Sequence, residues 1–235
     1  MIVNPSTDQP TQLTATGANA ITSAIIHIQR MRRSHIGEVM DIDAECYPTP
    51  WQQDIYEAEL RNSNNRYYLI ARAAPTPHSN THSSALHSAG SRSSKVTSGK
   101  TQKRSKNIVG YAGVAFETTT AHITTLTVAP RWQNHGVGTR LLLALLIATR
   151  PHNAGVTLEV GINNPAAQAL YRRFGLAPVG IRKGYYKEMG FTDAGLSPDA
   201  MVMRADNIQQ PDYAKHLTSI AQQLAPGQTT ELDLK

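Results

Sequence analysis

The chain has 235 residues, 40% of them hydrophobic, one cysteine and a formal net charge of +6. This supplies enough apolar material for a substantial core, while the single Cys46 excludes an internal disulfide, and no Cys/His spacing matches a zinc site. The most apolar run, Leu141 to Ala148, is far below the ~20 residues that span a bilayer, so no membrane helix is predicted.

In chain order, residues 1–23 lack a basic start followed by an apolar stretch and a small-residue cleavage site. A flexible tail of a cytoplasmic protein is expected, not a secretory signal. Ala24 to Met31 reads as a strand. Ser34 to Cys46 and Asp54 to Arg61 read as helices, separated by the turn-forming YPTPW of residues 47–51. Arg66 to Ala73 and Asn107 to Glu117 carry β-branched and aromatic residues in rough alternation, which predicts two more strands.

Between them, residues 75–106 are rich in Ser, Thr, Gly and His without an apolar period. Such a segment buries too little surface to offset its ordering entropy, so a disordered insertion within one domain is expected. It contains Arg92, Lys95, Lys100, Lys103, Arg104 and Lys106 and no acid, which accounts for the whole net charge of +6. The insertion reads either as a solvated linker or as an arm that neutralises RNA phosphates. His78, His82 and His87 lie in it, but an i, i+4 pair holds a metal only on a helix, and none is expected here.

Further on, His122 to Val128 predicts a strand, Gly138 to Thr149 a helix, Val156 to Gly161 a strand and Pro165 to Phe174 a helix. Leu176 to Lys183 and Ala200 to Arg204 read as closing strands, and residues 206–235 as a polar tail with one weak helix around Tyr213 to Leu224. The order β-α-α-β-β-β-α-β-α-β-β predicts an α/β (α+β) domain over residues 24–205, with a mixed central sheet and helices on both faces.

Chemistry concentrates where the strand ending at Val128 passes through Gly136 and Gly138 into a leucine-rich helix. Unpaired N–H groups at a helix N-terminus form an anion site suited to phosphate. The Lys-Ser/Thr of a Walker loop is missing, as is the third glycine of a dinucleotide fingerprint, so neither an ATPase nor a nicotinamide enzyme is indicated.

The run Gln133-Asn134-His135-Gly136-Val137-Gly138, preceded by Val128-Ala129-Pro130, resembles motif A of the GNAT superfamily of N-acetyltransferases. Leu158 to Leu176, LEVGINNPAAQALYRRFGL, is similar to the signature of that superfamily's RimI type, with Leu176 in place of the usual Phe. Ile181 to Met203 resembles the family's ending, and Pro48 to Trp51 its substrate-side turn. The resemblance covers residues 25 to 205 apart from the insertion.

It implies the GNAT fold, acetyl-CoA as cosubstrate, no metal, and direct acetyl transfer to a protein's amino-terminal amine. For the RimI type that is the amino-terminal alanine of the eighteenth small-subunit ribosomal protein. By the same resemblance Leu126, Thr127 and Val128 line the pantetheine arm, and Gln133, Asn134, His135, Gly136, Val137, Gly138 and Thr139 the pyrophosphate. A backbone N–H near Val128 would face the thioester carbonyl. Asn164, before Pro165, reads as a helix N-cap and is also implied in coenzyme contact.

An amine attacks only as the free base, and an α-ammonium with a pKa near ~8 is mostly protonated at neutral pH. Glu159 is the implied general base; its other reading is a solvent-facing acid on an alternating strand. Tyr171 is implied as the acid that meets the leaving thiolate. It also reads as a core ring beside Leu170 and Phe174, and one tyrosine can do both. Trp51, Tyr185 and Tyr186 are candidate substrate contacts or core aromatics.

Gly161, where the family often has arginine, and a long Lys187 to Pro198 segment leave the acceptor open. A lysine or small-amine acetyltransferase remains an alternative. From other classes come a non-catalytic acyl-CoA-binding module and an RNA-binding module built on the insertion.

Overall fold

A computed structural model describes residues 24–74, 107–188, 190, 197–224 and 230–233. The amino-terminal tail, the insertion with its three histidines, and most of the segment after Glu188 lie outside the described residues.

Alternation in the strands sorts side chains onto the two faces of one sheet. Strands β1 (Ile25–Arg30), β2 (Arg66–Ala74), β3 (Ile108–Phe116) and β4 (Thr120–Val128) form an antiparallel meander. β5 (Gly155–Gly161) joins β4 in parallel, and β7 (Ala200–Ala205) lies between β5 and β6 (Ala177–Arg182). With β8 (Thr230–Asp233) parallel to β1, the order is β6-β7-β5-β4-β3-β2-β1-β8.

On one face, Ile26, Ile28, Leu69, Ala71, Leu158 and Val160 are buried in a core completed by helices α3 (Val137–Thr149) and α4 (Pro165–Arg173). The other face buries Tyr68, Ile70 and Tyr111 beneath α1 (Ile36–Cys46) and α2 (Gln53–Arg61), with Tyr185 and Tyr186 from the short helix α5 (Tyr185–Glu188). Every residue from Leu141 to Leu146 is buried. A helix apolar on all sides needs cover on both flanks, and the sheet and α6 (Pro211–Gln223) provide it.

The weak helix expected around Tyr213 to Leu224 is present as α6, but the segment is not merely a polar tail: α6 buries Leu217 and Ile220, Tyr213 donates to the Phe174 carbonyl at 2.8 Å, and β8 extends the sheet. The apolar signal is only two residues three apart, weak in sequence and sufficient once α3 supplies a surface. The other elements match their predicted positions to within two residues or so, except that α5 was not foreseen.

Two features lock the sheet near the site. Glu38 on α1 accepts the backbone N–H groups of Asn107 (3.1 Å) and Ile108 (3.3 Å), fixing the start of β3 directly after the insertion. The Tyr68 ring lies against Gly113, where a Cβ would stand 2.3 Å from its nearest carbon, beside the register shift between β3 and β4.

Candidate active site

Strands β4 and β5 pair only over Thr120–His122 and Gly155–Thr157, although β4 continues to Val128 and β5 to Gly161. Beyond that point they diverge, opening a cleft of about 290 Å³ between the end of β4 and helix α4. Unpaired strand edges inside a fold need other partners, and a cleft flanked by such an edge suits an extended ligand.

The loop after β4 builds the far wall. A 3₁₀ turn spans Pro130–Trp132, Asn134 and Gly136 adopt positive φ (61° and 75°), and α3 begins at Val137 with no side chain capping it. The first turn's N–H groups are therefore available to an anion. Gly136 also makes room for Arg140: a Cβ there would lie 2.6 Å from its guanidinium, which donates to the Gly136 carbonyl at 3.2 Å. Gln133 folds back so that its amide donates to the Val128 carbonyl at 3.2 Å.

On the opposite wall Asn164 caps α4, accepting the Ala167 N–H at 3.0 Å, and Pro165 occupies the first helical position. Gln168 donates to the carbonyls of Gly161 and Ile162, both at 3.0 Å, tying α4 to the end of β5. Tyr171 is fully buried, and its hydroxyl has no hydrogen-bond partner among the described residues. Burial pushes its pKa well above the phenol value, so the hydroxyl stays protonated as a donor.

The structure brings Leu126, Val128, Gln133, Asn134, Gly136 and Gly138 together with Thr139, Asn164 and Tyr171 around this cleft. Thr127 turns to the other face, where it bonds the Tyr47 hydroxyl at 2.6 Å. Val137 is buried in the core, and His135 Nδ1 donates to the Gln133 carbonyl at 2.6 Å. Sequence reasoning missed Trp132, Ala166, Ala167 and Leu170, which also line the cleft. The small residues in the first turn of α4, followed by a leucine on the same face, were the available signal.

Glu159 sits on the other face of β5 from Leu158 and Val160 and does not line the cleft itself. His122 donates to its carboxylate at 2.6 Å, and Arg182 approaches at 3.4 Å. Partial burial pushes the Glu159 carboxyl up, but the His122 hydrogen bond and the nearby positive charge, that of Arg182 included, more than offset this, leaving its pKa below the ordinary value. His122 and Arg182 were not foreseen as site residues; only strand pairing places them beside Glu159.

Near Glu159, Tyr185 and Tyr186 are buried, with the Arg182 guanidinium 4.7 Å from the Tyr185 ring centre. Trp51 lines a small hollow with Asp43, Tyr47, Thr49, Tyr111 and Thr125. There the buried Asp43 carboxylate accepts the Tyr56 and Tyr111 hydroxyls. Desolvation outweighs these bonds and raises its pKa. Cys46 is also buried, donates weakly to the Val128 carbonyl, and has its thiol pushed up to about 12, chiefly by desolvation. A thiol held protonated is no nucleophile.

Residues 36–176 match the model of the acetyltransferase (GNAT) family. The chain belongs to this family. It is 39% identical over 188 residues to N-alpha-acetyltransferase RimI of Mycobacterium tuberculosis, a match covering 77% of this chain and 93% of that protein. A Bacillus subtilis relative, provisionally named a ribosomal protein bS18-alanine N-acetyltransferase, is 25% identical over 75% of this chain and 92% of its own length. Among solved structures, the ribosomal-protein-S18-alanine N-acetyltransferase of Escherichia coli superposes with a TM-score of 0.56 at 17% identity, covering 78% of this chain and 94% of that one. Arabidopsis thaliana NAA60 in complex with acetyl-CoA gives 0.56 at 15% identity, over 77% and 98%. These structures share the fold. The protein is thus a GNAT N-acetyltransferase related to RimI, and among the described residues no helix is long and apolar enough to cross a membrane.

Proposed function

We propose that this GNAT enzyme uses acetyl-CoA to acetylate the amino-terminal alanine of a ribosomal protein, the eighteenth of the small subunit, in the cytoplasm. The observation that carries the reading is the cleft between the diverging β4 and β5, with an uncapped helix N-terminus at one end and the buried Tyr171 hydroxyl at the other. These features fit acetyl-CoA: amides for phosphate, an open strand edge for a pantetheine amide, and an unengaged donor for sulfur. The relatives' names supply the acceptor.

Bound there, acetyl-CoA supplies an activated thioester. The chain's residues do the rest. Leu126 and Val128 line the acyl end and exclude water, while the first-turn amides of α3 hold the phosphates. Glu159, fixed by His122 and Arg182, accepts a hydrogen bond from the acceptor amine and draws off its proton. Tyr171 donates to the departing sulfur. Cys46, protonated and buried, takes no acyl group, so transfer is direct.

The test is mass spectrometry of acetyl transfer to peptides with a free amino-terminal alanine, other free amino termini, or a blocked terminus with free lysine, using wild type and Glu159→Gln. Modification confined to the alanine peptide, reduced roughly 10²- to 10⁴-fold in the variant with acetyl-CoA binding retained, is the expected result. Modification of the blocked lysine peptides would replace the acceptor assignment, and unchanged turnover in the variant would remove Glu159 from the chemistry.

A further inference from the structure

A second cavity, of about 250 Å³, lies at the end of β1 and shares no residue with the cofactor cleft. Arg30, Arg32, Arg33, Arg61 and Arg66 line it with one carboxylate, Glu57. Arg30, Arg32 and Arg33 come from one run at the end of β1 and the turn into α1, and the fold brings Arg61 from the end of α2 and Arg66 from the start of β2 to meet them.

This concentration is not a general basic surface. The insertion's six basic residues account for the chain's whole net charge of +6, so the remainder balances. Glu57 is shared between Arg33 at 2.9 Å and Arg61 at 3.7 Å, and Arg66 pairs with Glu59 at 3.0 Å. Arg30 lies 5.2 Å above the Tyr67 ring, and among the described residues no carboxylate pairs with Arg30 or Arg32. Two carboxylates thus face five guanidinium groups, and the remaining positive charge around the hollow favours entry of an anion.

We propose that this cavity binds a phosphate-bearing ligand. Arginine forks match phosphate oxygens bidentately. Beneath the rim, Met31, Leu60 and Tyr68 supply an apolar floor, which suits a ribose or base attached to the phosphate. Two sources carry that chemistry, a free diphosphate or triphosphate and the backbone of single-stranded RNA. The proposal rests on the cavity alone and is independent of the acceptor assignment.

The experiment titrates full-length protein, saturated with acetyl-CoA so that the cofactor cleft is filled, with inorganic pyrophosphate, with ATP and with a short single-stranded RNA. Wild type is compared with Arg30→Gln/Arg32→Gln and with Glu57→Gln. Saturable binding should weaken roughly tenfold or more in the double variant and strengthen in Glu57→Gln, with thermal stability and peptide acetylation kept. If RNA is the ligand, the double variant also lowers the salt slope by about two, whereas free phosphates binding without RNA identify the small-molecule source. Equal affinities in wild type and the double variant would assign any RNA binding to the insertion and overturn the proposal. So would the absence of saturable binding by all three probes up to ~10 mM, an affinity worth under ~3 kcal/mol.

Discussion

Replacing Tyr171 by Phe separates catalysis from packing, because the two roles predict changes of opposite sign. The ring is fully buried beside Phe174 and the α3 leucines, and its hydroxyl has no partner among the described residues. A buried hydroxyl without a partner costs about 1–3 kcal/mol, so removing it should leave the cofactor-free protein as stable or up to ~1 kcal/mol more stable. The ring's apolar contacts remain, which rules out a cavity penalty. If the hydroxyl meets the leaving sulfur, turnover should fall about 10²- to 10³-fold, an activation difference of ~3–4 kcal/mol. Denaturant melts give the first number, and thiol release under saturating peptide and acetyl-CoA gives the second. Lost stability together with lost activity would refute the reasoning, since it would make the hydroxyl structural; unchanged turnover would refute it from the other side.

The pH dependence is set by the sign of the Glu159 shift. Lowered below the ordinary carboxylate value, Glu159 is ionised throughout the neutral range, so kcat/KM should rise about tenfold per pH unit toward the acceptor's pKa near ~8, with no limb near pH 4–5 until the fold itself fails. Stability contributed by Glu159 is present above its unfolded value and lost as pH falls through its folded one, so acid melts should be steeper in wild type than in Glu159→Gln. Gly113→Ala should destabilise by about 2–4 kcal/mol, because its methyl would overlap the Tyr68 ring, and overpacking forces that ring off its bonds to Glu59 and Thr124. Cys46→Ala should keep turnover within about threefold, checked by initial rates, since a thiol with a pKa near 12 carries no acyl group.

Much of this was legible in sequence because each signal was local. The strand periods, the Pro130-to-Gly138 turn and the Asn164-Pro165 cap each specify their own backbone within a few residues. The glycine loop fixes the cleft's wall for the same reason. What escaped reading depends on partners distant in the chain. His122 and Arg182 meet Glu159 only through the placement of β4 and β6 on either side of the β5–β7 pair. The packing of α6 requires the exposed flank of α3, which no window around Leu217 and Ile220 contains. The arginine cavity joins the run from Arg30 to Arg33 to Arg61 and Arg66, and that meeting has no linear signature.

The electrostatics around Glu159 bear on the choice of acceptor. Moving a proton from an α-ammonium of pKa ~8 to a carboxylate held below its ordinary value is strongly uphill. Selecting the tenth of that amine already neutral at pH 7 costs only about 1.4 kcal/mol, so the enzyme gains more by capturing free base than by making it. Glu159, held ionised by His122 and Arg182, is then suited to a later moment, when the nitrogen becomes cationic as the new bond forms. A lysine of pKa ~10.4 is free at pH 7 only about one part in 2,500, some 3 kcal/mol worse than the α-amine, and a carboxylate of lowered pKa does not recover the difference. On this reading the free-base fractions alone favour amino-terminal acceptors by roughly 250-fold at pH 7, and the pair that keeps Glu159 a weak base leaves that preference in place. That advantage should shrink as pH rises above ~8 and the α-amine approaches complete deprotonation while the lysine continues to gain free base.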